Sequence, residues 1–152
     1  MAVALRMLSR RDLSEGEIGE RLSKKGFPRA EAQATVRRLR ELGLADDPKL
    51  CARLARSYRE TRGYGSAKIA WALRGRGFSP SLVEDAVREL STGEEELAAA
   101  SAVLRKKFRG GIPKGREGAA KAYRFLAGRG FPPEACRRAI GGVSFEIQEG
   151  EG

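Results

Sequence analysis

Three Gly-Phe pairs, Gly26-Phe27, Gly77-Phe78 and Gly130-Phe131, stand 51 and then 53 residues apart, each directly behind a basic residue. With the glycines in register, the chain repeats. Eight residues before each glycine stand Ile18, Ile69 and Ala122; four before stand Leu22, Leu73 and Leu126, one helical turn later on the same face. After it, apolar residues recur at plus six (Ala32, Val83, Cys136), plus ten (Val36, Val87, Ile140) and plus thirteen (Leu39, Leu90, Val143), the spacing of a second amphipathic helix. Glycine closes the first helix of each pair, because it enters the left-handed conformation at C′ without a Cβ penalty. The prolines of "FPRAE", "FSPSL" and "FPPEA" suit the opening turn of the next.

A third helix precedes each pair. Its clearest copy is "DDPKLCARLARSYRETRG", read with Asp47 as N-cap, Pro48 at N1 and Leu50, Cys51, Leu54 and Tyr58 as the buried stripe. "AVALRMLSRR" and "EEELAAASAVLRKKF" are its counterparts, the latter with Leu97, Val103, Leu104 and Phe108 inward and Glu94 to Glu96 at the positive end of the helix dipole. The expectation is an all-α chain of three tandem three-helix repeats, 2–45, 46–91 and 93–143, forming an elongated, curved helical protein. Residues 144–152 read as a flexible acidic tail, and "RGGIPKGREG" as a flexible basic loop. Tetratricopeptide repeats, at about 34 residues, do not fit the interval.

Charge limits the partners. Lys and Arg number 30 against 20 Asp and Glu, a formal net charge of +10. The excess is spread along the chain: 10 basic against 7 acidic residues over 1–46, 9 against 5 over 47–91 and 11 against 8 over 92–152. A polyanion is the expected partner. Histidine is absent and the two cysteines, Cys51 and Cys136, form no C-x-x-C pair, which excludes a histidine triad and His/Cys zinc sites. No disulfide framework is expected, so the reading is a cytoplasmic protein. The longest uncharged apolar run, "LAAASAVL", falls far short of the roughly 20 residues that span a bilayer, and no membrane partner is expected.

The candidate binding surface is basic. Lys49, Arg53, Arg56 and Arg59 fall at helical steps opposite the Leu50/Leu54/Tyr58 face, followed by Arg62, and Lys68, Arg74 and Arg76 continue the character into the next helix. Lys106, Lys107, Arg109, Lys114 and Arg116 cluster around the glycine-rich loop. A solvated helix face is the competing reading for such a stripe. The cations just before the glycines (Lys24-Lys25, Arg76, Arg129) are sufficiently explained by the helix dipole. Asp46-Asp47 reads as a cap rather than a metal site, and Trp71 as a rim-of-core residue rather than a base-stacking one. No constellation supports catalysis, and no cofactor is expected.

The residues carry a resemblance. "ALRMLSRRDLSEGEIGERLSKKGF", "LADDPKLCARLARSYRETRGYGSAKIAWALRGRGF" and "YRFLAGRGFPPEACRRAI" occur in the order found in the RecX family, regulators of the bacterial recombinase RecA, over residues 2–143. Leu50-Cys51 and Trp71 depart from the family pattern at packing or surface positions. The resemblance implies a non-enzymatic, monomeric protein that binds the RecA–DNA filament in its helical groove. It would thereby modulate ATP hydrolysis, strand exchange and co-protease activity in DNA repair and the SOS response. Contact with single- or double-stranded DNA would be independent of sequence and sensitive to salt. Two other classes compete. One is a helix-turn-helix transcription regulator, which "SEGEIGERLSKKGFPRAEAQATVRRLRELGL" alone would allow, although three copies and no strand pair for a wing speak against it. The other is a passive helical scaffold, which leaves the net +10 unexplained.

Overall fold

A computed structural model describes the backbone of residues 1–151 and the side chains through Glu146. Among the described residues there are nine α-helices, one 3-10 turn and no strand: α1 (Ala2–Arg10), α2 (Glu15–Lys24), α3 (Arg29–Glu41), α4 (Asp47–Arg62), α5 (Ser66–Gly75), α6 (Pro80–Arg88), the 3-10 turn Glu89–Ser91, α7 (Gly93–Lys107), α8 (Gly115–Gly128) and α9 (Pro133–Glu151). This is the all-α architecture of three tandem three-helix repeats.

The recurring Gly-Phe pair makes the same turn each time. Gly26, Gly77 and Gly130 have φ of 96°, 83° and 91°. The following Phe N–H donates back to the Leu five residues earlier: Phe27 to Leu22 O at 3.1 Å, Phe78 to Leu73 O at 3.4 Å and Phe131 to Leu126 O at 3.2 Å. These are Schellman closures, in which a left-handed glycine lets the next residue satisfy an orphan carbonyl of the last turn. The Leu that accepts the bond also belongs to the core, since Leu22, Leu73 and Leu126 are all at or below 2% exposed.

The described chain packs as two compact units rather than three, Met1–Leu54 with Ala72–Ala86 and Ala55–Trp71 with Val87–Gly152. Helices α4, α5 and α6 each contribute residues to both. In the first unit Ile18, Leu22, Ala32, Val36 and Leu39 form a core with Ala4 and Met7 of α1. In the second, Ala100 and Leu104 of α7 pack with Ala122 and Leu126 of α8 and Cys136, Ala139 and Val143 of α9.

Within each unit one repeat is joined to the next by the same device. In the first unit, Ser14 caps α2: its hydroxyl accepts the Glu17 N–H at 3.0 Å while the Glu17 carboxylate takes the Ser14 N–H at 2.9 Å, a reciprocal capping box. The Ser14 hydroxyl then donates to the Arg76 carbonyl at 2.6 Å, at the end of α5. The Arg76 guanidinium reaches back to Asp12 O at 2.9 Å and to both Glu17 oxygens at 2.8 and 3.0 Å. In the second unit, Gly65 N–H, just ahead of α5, donates to Arg129 O at 2.7 Å and Ala67 N–H to Gly130 O at 3.2 Å, while the Arg129 guanidinium donates to Arg62 O. A Cβ on Gly65 would overlap the Gly130 backbone, and one on Gly16 would come within 3.2 Å of Gly77 O. An arginine-glycine corner ending the middle helix of one repeat thus docks on the start of the middle helix of the repeat before it.

The third repeat breaks the pattern at its own start. Ser14 and Gly65 lie twelve residues before Gly26 and Gly77; twelve before Gly130 is Gly118, already inside α8. Helix α8 has 14 residues, against ten in α2 and in α5. Its added first turn brings Pro113 over Gly118, where a Cβ would overlap the Pro113 carbonyl. At this register position the chain's own Pro113 backbone takes the space that the Gly130 backbone takes at Gly65.

Four expectations need correction. The cap of α4 is Asp46, whose carboxylate accepts the Lys49 N–H at 3.2 Å, so Asp47 and Pro48 lie one position further into the helix. Asp47 instead accepts the Glu15 N–H at 2.9 Å, and joins α4 to the start of α2. The glycine-rich loop ends at Lys114, because Gly115 opens α8. The acidic tail expected from Ser144 is helical through Glu151: α9 continues past the buried Val143, and Glu146 forms a two-pronged pair with Arg105 at 2.7 and 2.9 Å. Gly152 lies outside the described residues. Finally, Trp71 is not at a core rim; it is 66% exposed.

Candidate functional site

In the second unit, α7 and the later part of α4 expose basic and small residues because of what they bury. Along that part of α4, Ala55 and Arg59 follow at a step of four and turn inward, which leaves Arg56 and Arg62 in solvent. Along α7, Glu96, Ala100 and Leu104 do the same and leave Ala98, Ala102 and Lys106 outside. Between these faces lies a groove of about 1000 Å³. It is lined by Arg56 and Arg62 of α4, by Ala98, Ala99, Ala102, Val103, Lys106 and Lys107 of α7, and by Phe125 and Arg129 at the end of α8.

The groove is cationic. Glu60, Glu89 and Glu95 are the carboxylates that line it, against those five cations. Among the described residues the ion pair Arg56 to Glu89 is long at 3.4 Å and well exposed, the kind that binds weakly in water. Phe125 holds two of the charges in place: Arg129 lies 5.0 Å and Lys107 5.7 Å from its ring centre. Phe108 meets the same ring edge-on at 6.2 Å. Such a trough can take an elongated anionic partner, with small side chains permitting close approach and long basic ones meeting the charge.

Arg59 lines the groove but is not available to a partner. Its side chain is 9% exposed and Glu96 is 1% exposed. Nη2 donates to Glu96 Oε1 at 2.9 Å and to Leu90 O at 3.1 Å, Nε donates to Tyr64 O at 2.9 Å, and the guanidinium lies 5.9 Å from the Phe131 ring centre. Glu96 Oε1 also accepts the Ser66 N–H at 3.2 Å, at the start of α5. Arg59 Nη1 and Glu96 Oε2 are left without a partner. The pair is therefore internal architecture, which corrects the reading of Arg59 as part of an exposed stripe; Glu96 does lie in the first turn of α7, as expected, but buried.

The other candidates fall in several places. Arg56, Arg62, Lys106 and Lys107 share the groove. Lys49 and Arg53 belong to the first unit, where Arg53 pairs with Asp12 at 2.8 Å. Arg76 is committed to the joint with Glu17, both side chains below 20% exposed, so it too leaves the list of surface contacts. Lys68 covers the Tyr64 ring at 4.6 Å. Arg74, Arg109 and Lys114 are exposed and stand outside the groove. Arg116 starts a second basic strip on α8 with Lys121 and Arg124. Arg129, Phe125 and the α8 strip were missed by the sequence reading, although Lys121 and Arg124 follow Glu117 and Ala120 at helical steps. Among the described residues no cluster of three potential metal ligands occurs, and no helix is long and apolar enough to cross a membrane.

The joint of the first unit and the buried thiols set the electrostatics elsewhere. Burial works to raise the Glu17 carboxyl, but the Arg76 hydrogen bonds and the Ser14 N–H outweigh it and hold Glu17 below the ordinary carboxylate value. Burial pushes Asp47 above its ordinary value, with Glu15 and Glu17 adding to the rise. Burial drives the Cys51 thiol up to about 11 and raises that of Cys136, so neither is primed as a nucleophile.

Comparison with known proteins places this arrangement. Three family models match in order: the RecX first three-helix domain over residues 1–39, the second over 46–87 and the third over 94–140. The regulatory protein RecX of Halorhodospira halophila is 30% identical over 147 residues, covering 97% of this chain and 89% of the relative. That of Chromobacterium violaceum is 34% identical, covering 93% and 88%, and that of Thermus thermophilus is 38% identical, covering 87% and 83%. The crystal structure of RecX from Lactobacillus salivarius shares the fold, with a TM-score of 0.83 at 18% identity over 95% of this chain and 94% of that one. With the three domain models matched in sequence order and the relatives covered nearly end to end, the chain belongs to the RecX family.

Proposed function

We propose that this protein regulates the recombinase RecA by binding its nucleoprotein filament on DNA, lying in the filament's helical groove. The observation that carries the reading is the cation- and alanine-lined groove of Arg56, Arg62, Lys106, Lys107 and Arg129, which suits an elongated anionic partner. Family membership supports it, since the relatives are named as regulatory proteins. The role is regulatory and not catalytic: a chain that lies along the filament hinders its extension and lowers ATP hydrolysis, strand exchange and co-protease activity, in DNA repair and the SOS response. Because it prefers the assembled filament, it shifts that state by mass action. It acts as a monomer in the cytoplasm, and its contacts with DNA are independent of sequence and weakened by salt.

The test follows RecA-catalysed ATP hydrolysis on single-stranded DNA together with co-sedimentation of the protein with filaments. The wild-type chain is expected to co-sediment and slow hydrolysis. Replacing Arg56, Arg62, Lys106 and Lys107 by Glu should abolish both while leaving the helical circular-dichroism spectrum intact. A wild-type protein that neither co-sediments nor alters hydrolysis overturns the reading.

A further inference from the structure

Beside the groove, in the same unit, aromatic rings and cations alternate. The Arg62 guanidinium lies 5.5 Å from the Tyr58 ring centre. Tyr58 stacks on Tyr64 at 5.9 Å with 18° between the planes. Lys68 Nζ covers Tyr64 at 4.6 Å. Trp71 follows Lys68 by three residues and the exposed Ala67 by four, so it shares their face of α5. It is the only tryptophan of the chain, it is 66% exposed, and no ring or cation partner covers it among the described residues. A bare indole at the end of a row of rings and positive charges is available surface that the fold does not use.

We infer that Trp71, flanked by Lys68 and with Arg62 and the Tyr58–Tyr64 stack behind it, forms a base-stacking platform for single-stranded nucleic acid. The chemistry favours this occupant. Aromatic faces take unstacked bases of any sequence, while interleaved cations take the phosphates between them. Arg62 belongs both to this row and to the groove wall, so phosphates could pass from one to the other without a break in charge. The field at Tyr64 is positive on several sides: the hydrogen bond from Arg62, with Lys68 and Arg129 close by, holds its phenol below the ordinary value. An acidic protein segment would satisfy the cations but would leave the indole face without a flat partner.

This inference rests on the filament reading for its biological setting, but its test needs no recombinase. The emission of Trp71 reports directly on that face, with no second indole to confuse it. Titration with oligothymidylate is expected to quench it. An abasic strand of equal length and charge, and polyglutamate, should leave it unchanged. By fluorescence anisotropy of a labelled oligothymidylate, Trp71→Ala should weaken binding roughly tenfold, with Trp71→Phe restoring most of the affinity. Helical circular dichroism checks that each variant is folded.

An abasic strand that binds and quenches as well as oligothymidylate would reduce the contact to phosphates and overturn the platform. Equal quenching by polyglutamate would make the face a protein dock, and an unresponsive Trp71, or unchanged affinity in folded variants, would overturn it as well. Loss of the stacking signal while RecA hydrolysis is still slowed would remove the platform alone. Intact stacking without any effect on RecA would remove the filament reading alone.

Discussion

Arg59 and Glu96 show how a charged pair can serve as core. With both side chains at or below 9% exposure, removing one partner leaves the other buried and uncompensated. Arg59→Leu should therefore lower unfolding stability by about 3–5 kcal/mol in urea titration, whereas Arg56→Leu, on the exposed side of the same helix, should change it little. The Arg76–Glu17 joint adds a pH signature. Because Glu17 is held below its ordinary value, its contribution is complete above the unfolded-state value and is lost as pH falls through the folded one. Asp47, held above its ordinary value, has the opposite sign, and its contribution is lost as pH rises through the folded value. Urea midpoints at pH 7 and pH 3 should show Glu17→Gln destabilised at pH 7 and close to wild type at pH 3. Asp47→Asn, which keeps an oxygen for the Glu15 N–H, should be more stable than wild type at pH 7 and should lose that advantage at pH 3.

At the scale of helices, the glycine corners of the repeat were legible, because one glycine conformation and a fixed apolar spacing recur three times. The inward turn of Arg59 and Glu96 was legible too, though it was missed: Cys51-Ala55-Arg59 and Glu96-Ala100-Leu104 are both steps of four along buried faces. Charge identity had overridden periodicity. The reach of Arg76 and Arg129 into the previous repeat was not readable, since a helix-dipole role explains a cation at that position equally well and only three-dimensional pairing separates the two. The groove was hidden for the same reason, being assembled from residues between Arg56 and Arg129. Glycines at the joints give a sharp contrast. Gly65→Ala should cost about 1–3 kcal/mol from overpacking against Gly130. Gly19→Ala, in the middle of α2 with open space around it, should stabilise by about 0.5–1 kcal/mol. Thermal unfolding of the two variants checks the opposite signs.

For the molecule as a whole, the three sequence repeats and the two compact units are different partitions. The first core is completed by Ala72–Ala86, including the Arg76 clamp, so residues 1–45 alone should show little helical circular dichroism and no cooperative melt. Residues 1–91, which contain every residue of the first unit, should show both. Chains of about 40 residues seldom bury enough surface to stand alone. The extra turn of α8 and the Pro113 backbone over Gly118 bear on something else, the history open to such a chain. Duplication that lengthened it at the carboxyl side would produce a copy with no berth, while the Lys25-Gly26 corner, with open space at Gly26, could still dock onto a copy inserted upstream. Growth by repetition in this architecture is thus polarised, permitted toward the amino end and closed at the other.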